Sequence, residues 1–198
     1  MANGRVITGF SKPVVALYSA EGTTVSYETV TPLARGVSVS VDIETADSND
    51  FYADNVLAES ASGLFSGGTA TVTVDGLKEA ARTLIQGLPE ATTVTTGGVT
   101  TSVYVYDDRQ SIPYVGFGFV VRVMEAGVTS YIPYVYTKVQ FAVDGIEANT
   151  QEEEIDWQTS ELSASIFRDD STNHAWRKIG GAQTTEAAAE AVIALLLD

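Results

Sequence analysis

A mainly β, α+β fold with two helices is the class this sequence predicts, and three observations predict it. Most of the chain alternates apolar and polar residues at period two, which marks half-buried strands. Only two stretches carry apolar residues at helical spacing. The chain has 198 residues, 44% hydrophobic and 19% charged, enough for one sizeable core. Residues 1–198 are therefore expected to form a single domain.

The strands come first. In "GVSVSVDIE", Val37, Val39, Val41 and Ile43 share one face, and Ser38, Ser40, Asp42 and Glu44 share the other. In "GGTATVTVDG", Ala70, Val72 and Val74 oppose Thr69, Thr71, Thr73 and Asp75. Both polar faces are built of small hydroxyls ending in carboxylates, without Lys or Arg. Between these strands runs a long excursion, 45–67, carrying Phe51, Tyr52, Leu57, Leu64 and Phe65. A hairpin needs only a short turn, and a long loop with large apolar groups is expected to be functional or packed on something.

Asp75-Gly76 leads into "LKEAARTLIQGL", a helix with Leu77, Ala80, Ala81, Leu84 and Ile85 as its stripe and Gly87 as its cap. The Thr- and Gly-rich stretch 91–103 is expected to be an exposed insertion. "PYVGFGFVVRVMEAGVTSYIPYVYTKVQFAVDG" reads as a hairpin turning near Ala126-Gly127. Val115, Phe117, Phe119, Val121 and Val123 form one face of its first strand. On its return strand, Ile132, Tyr134 and Tyr136 are expected opposite Val135, Val139, Phe141 and Val143. The glycines of "GFGF" sit inside a strand, so close packing beneath aromatics explains them better than phosphate binding.

"TQEEEIDWQTSEL" is expected to be a strand, with Glu152, Glu154 and Asp156 on one face and Glu153, Ile155 and Trp157 on the other. The apolar phase then changes before Leu162, Ala164 and Ile166. That change predicts a kink or bulge between Trp157 and Leu162, with Trp157 buried in the core or against a neighbouring subunit. Finally "TTEAAAEAVIALLLD" is a helix with Thr184 or Thr185 as N-cap and Glu186 in its first turn. It is apolar nearly all round, which asks for burial on more than one side.

Chemistry is sparse. There is no cysteine, and the one histidine, His174, has no nucleophile motif beside it. Paired carboxylates can serve a glycosidase, but only across a cleft. Asp47, Asn49, Asp50, Asp54 and Asn55 offer oxygen donors suited to calcium, without the EF-hand pattern; turn chemistry is the simpler reading. The 26 acids against 11 Lys plus Arg give a net charge of −15, which disfavours nucleic-acid binding by counterion release. No apolar run reaches membrane-spanning length and the start lacks the apolar run of a signal peptide, so the expectation is a protein made in the cytoplasm and free of membranes.

Several segments, in order, resemble the major tail proteins of long-tailed, non-contractile (siphovirus) bacteriophages. They are "ALYSAEG", "ARGVSVSVDIETADSNDFYADN", "GGTATVTVDGLKEAARTLIQGL", "PYVGFGFVVR" and "TQEEEIDWQTSELSASIFRDD", spanning Val15 to about Asp170. The resemblance implies a β-sandwich or part-barrel flanked by a helix. It implies a structural virion protein, not an enzyme and without cofactors. Such subunits form hexameric rings, stacked into a tail tube whose lumen holds the tape-measure protein and later passes DNA without specific binding. Tail terminator and distal tail proteins meet the ends of the tube. On this reading Ser38, Ser40, Asp42, Glu44, Thr71, Thr73 and Asp75 face the lumen. Asp47, Asn49, Phe51, Tyr52, Asp54, Asn55, Phe65, Glu152, Glu153, Glu154 and Asp156 become candidates for subunit contacts. The competing reading is a monomeric β-sandwich binding module, an adhesin or carbohydrate-binding domain, with aromatics as a sugar platform. An acidic β-rich hydrolase comes third.

Overall fold

The computed structural model of the protein describes residues 4–28, 30–150 and 157–198. Strands β1 (Val6–Glu21), β2 (Thr24–Tyr27), β3 (Thr31–Pro32), β4 (Gly36–Thr45), β5 (Asn49–Ala53), β6 (Val56–Ala61) and β7 (Phe65–Val74) precede helix α1 (Glu79–Gln86). Strands β8 (Thr92–Thr96), β9 (Val99–Val103), β10 (Val115–Glu125), β11 (Val128–Phe141), β12 (Ser160–Phe167) and β13 (Arg177–Ile179) follow, and then helix α2 (Glu186–Leu196). The fold is mostly β with large antiparallel sheets and a C-terminal helix, as the alternation predicts.

The main sheet runs in the order β2-β1-β10-β11-β12-β7-β4, with β3 added to β1 and β13 to β11. It curls until β4 returns beside β1. Gly36 of β4 sits so close under Phe10 of β1 that a Cβ there would stand 2.3 Å from a ring carbon. The concave side holds the main core: Val15, Val72, Val74, Val115, Phe117, Phe141, Leu162 and Ile166 are all buried. Each such side chain contributes about 1.5–3 kcal/mol by leaving water. Helix α1 closes this core with Ala81 and Ile85. Its end is set by Gly87 in the left-handed region, φ 57°, where glycine carries no Cβ penalty.

On the convex side, α2 packs over β1, β10 and β11 and buries Val14, Ala16, Val120, Val135, Ala189, Ile193 and Leu197. Thr185 caps it, accepting from the Ala188 N–H at 3.2 Å. The two glycines of "GFGF" are the seat of this helix. A Cβ on Gly116 would lie 2.4 Å from Leu197 and 2.6 Å from Tyr27, and one on Gly118 would lie 2.4 Å from Ile193. Close packing is indeed their role, beneath Tyr27 and α2.

Several expectations need correction. β1 is a 16-residue strand, second in the sheet order, that the alternation does not announce. In β11 the predicted faces are mixed: Tyr134, Tyr136, Val139 and Phe141 share the concave core, while Val135 lies under α2. The cause is a bulge, because the register to β10 slips between Val115 and Phe117. Val143 lies beyond the strand and is exposed. Trp157 is not buried in the subunit; it is 82% exposed. It precedes β12, which starts at Ser160, so Trp157 and Leu162 do not share one strand and the expected kink within a strand is not found between them. Glu152, Glu153, Glu154 and Asp156 lie outside the described residues.

Candidate functional site

The convex side of the sheet has two halves. One lies under α2, and the other, on β12, β7 and β4, is open. Pairing aligns the open half in rows: Ser38 with Thr73 and Glu161, Ser40 with Thr71 and Ser163, Asp42 with Thr69 and Ser165. Glu44 follows opposite Gly67. The Ser38 hydroxyl donates to Thr73 Oγ1 at 3.0 Å. The apolar alternates, Val39, Val41, Ala70, Val72, Leu162 and Ala164, point into the core, and this fixes the hydroxyls outward. None of the three strands contains Lys or Arg. The face is thus a continuous surface of small hydroxyls with carboxylates, able to meet water or a polyanion without a cation to hold it.

Six of the seven predicted lumen residues share this face. Asp75 does not present a free carboxylate. It accepts from the Arg35 backbone N–H at 2.9 Å and from the Arg35 guanidinium. The Arg35 hydrogen bonds hold its carboxyl below the usual range. Sequence reasoning missed Thr69 as a site residue, and missed Glu161, Ser163 and Ser165 entirely. The signal was present in "SELSASIF", where Ser and Glu alternate with Leu, Ala and Ile.

The excursion 45–67 is a β-ribbon. β5 pairs with β6 around a tight turn at Asp54 and Asn55, both left-handed at φ 51° and 62°, residues that tolerate this region. Ala46 N–H donates to the Leu64 carbonyl at 2.8 Å and closes its base. Phe51, Tyr52, Val56 and Leu57 are all exposed, Phe51 by 63%. Phe65, expected at a subunit contact, belongs instead to the subunit's own core. It is buried and stacks on Trp176 with ring centroids 4.5 Å apart. The oxygen donors suited to calcium are spread along the ribbon. Asn49 and Asp50 lie one strand length from Asp54 and Asn55, and Asp50 accepts from the Ser60 hydroxyl. Among the described residues no group of three or more Asp, Glu or His converges.

The stretch 91–103 is a second exposed ribbon, β8 with β9, turning at Gly97-Gly98. The outer side of α2 is also open: Ala187, Ala191 and Ala194 are exposed, and Leu195 is 72% exposed. No family model and no curated protein matches the chain.

Proposed function

We propose that the chain is a structural virion subunit that polymerises as stacked hexameric rings into a phage tail tube, with the β12-β7-β4 face lining the lumen. The observation that carries this reading is that face itself: an ordered, open surface of hydroxyls and carboxylates with no cation. A conduit must touch DNA without retaining it, and each Lys–phosphate contact adds salt-sensitive affinity. An acidic wall keeps the duplex away from it by like charge. β4 is the terminal strand of the sheet order, hydrogen-bonded only to β7 among the described residues, so that beyond Gly36, where it meets Phe10 of β1, its other edge can take a neighbour's sheet. Joining such edges around a ring removes an aggregation hazard. The exposed aromatic ribbon and the bare outer side of α2 supply the apolar area that assembly needs.

Tape-measure protein, tube-end proteins and passing DNA are the partners this role requires, and the tail tube of the virion is its location. Size-exclusion chromatography with negative-stain microscopy tests it. Rings or hollow tubes are expected. A monomer at every concentration, binding immobilised glycans through its aromatics, would return the binding-module reading.

A further inference from the structure

At the base of the β5–β6 ribbon lies a shallow pocket lined by Leu64, Phe65, Arg168, Trp176 and Arg177, with Asn173 and His174 at its rim. Arg177 lies over the Trp176 ring at 4.6 Å and Arg168 over the Phe65 ring at 5.8 Å. The Arg168 guanidinium also donates to the Phe65 carbonyl. The loop bearing these groups is firmly held. Buried Asp169 accepts from the Ser171 N–H and hydroxyl, and buried Thr137 donates its hydroxyl to the Ala175 carbonyl at 2.8 Å.

These two arginines differ from most cations of the chain. Arg5, Lys12, Arg35, Arg82, Arg109 and Lys138 each hold a carboxylate. Arg168 and Arg177, like Lys78, Arg122 and Lys178, have no carboxylate partner among the described residues, and of these five they alone share one pocket, in a protein with 26 acids. The complement is nearby in sequence. The excursion 45–67 contains Asp47, Asp50, Asp54 and Glu59 with no Lys or Arg, and exposes Tyr52 and Val56 beside its turn.

We propose that this pocket receives the tip of the β5–β6 ribbon of a second copy of the chain. Asp54 meets Arg168 and Arg177, while Tyr52 and Val56 cover Leu64 and Trp176. A strand rises about 3.3 Å per residue, so the tip stands roughly 16 Å beyond its base. A ribbon springing from the edge of the pocket therefore cannot bend back to fill it. A tip-to-base contact is head-to-tail, the kind that closes rings or extends stacks. Guanidinium groups already laid on aromatic rings are pre-oriented for a carboxylate. The inference rests on the tube reading, and supplies the receiving half of the contact.

The chain has no cysteine, so a cysteine pair gives a clean test. Ala53→Cys with Asn173→Cys in one chain is expected to yield a ladder of disulfide-linked multimers under mild oxidation, and neither single variant a ladder beyond dimers. Asp54→Asn and Arg177→Gln are each expected to raise the concentration needed for assembly roughly tenfold. The double variant is expected to add little to either, since both remove one interaction. Tubes that form normally but give no ladder, or effects that add in full, overturn this contact and leave the tube reading standing. A parent protein that never assembles overturns both.

Discussion

Asp170 shows how single residues hold the convex side together. Its carboxylate accepts from Lys138 Nζ and from the Tyr18 hydroxyl, both at 2.7 Å. Lys138 lies over the rings of Tyr18 and Tyr114. The hydrogen bond from Lys138, with that from Tyr18, holds the Asp170 carboxyl below its ordinary value. Burial, helped by Asp170, pushes the Tyr18 phenol up to about 12. A depressed carboxyl contributes stability that is present above its unfolded value and lost as pH falls through the lower folded one. Asp170→Asn is therefore expected to destabilise the subunit at pH 7, by less than about 1 kcal/mol because the group is half exposed. The difference from the parent is expected to close below about pH 4, and urea melts at the two pH values measure it. Trp157 and Phe65 mark the limit of reading residues singly. Both are large aromatics, and alternation alone does not say that one lies outside a strand while the other stacks on a Trp more than a hundred positions away.

Elements with a regular period were legible, including doubly buried β10, and β1, which has none, was not. β4, β7 and β12 alternate cleanly because one side meets the core and the other meets water. β1 carries Val14, Val15 and Ala16 buried in succession, facing α2 and the main core by turns. Its register slips twice against β10, once near Lys12, which is left-handed at φ 54°. A strand buried on both sides and bulged twice has no period to read. The same double burial makes Gly118 critical. Gly118→Ala drives a methyl into Ile193 and is expected to cost about 1–3 kcal/mol by displacing α2. Thermal melts check this, with a fall of several degrees expected. The β5–β6 ribbon, in contrast, gives the main core nothing. Replacing residues 47–62 with a short turn is expected to leave a folded subunit with a near-parental melt that no longer assembles. A variant that still forms normal tubes by microscopy would remove the ribbon from the account.

At the scale of the whole molecule, charge is sorted by surface. Six cations are neutralised in local pairs, two arginines stand at the base of the ribbon, and the open hydroxyl face carries no cation. If that face is a channel wall, Asp42→Lys with Glu44→Lys is expected to permit assembly yet slow genome ejection, in a manner relieved by added salt. Rates of DNA release from phage carrying the variant measure this. The face was largely legible because its period is regular; its extension onto β12 was less so, because Leu162, Ala164 and Ile166 mark the core side there and the register that sets Glu161, Ser163 and Ser165 beside β7 is not written in the sequence. How subunits meet was the least legible, because a contact made between chains leaves only exposed apolar groups in one. A cryo-electron microscopy reconstruction of the assembled protein tests the central claim most directly. The account predicts a hollow tube with Ser40, Asp42, Thr71 and Ser163 on the lumen wall. A tube with these side chains on its outer surface or sealed between subunits, or no tube at all, would contradict it.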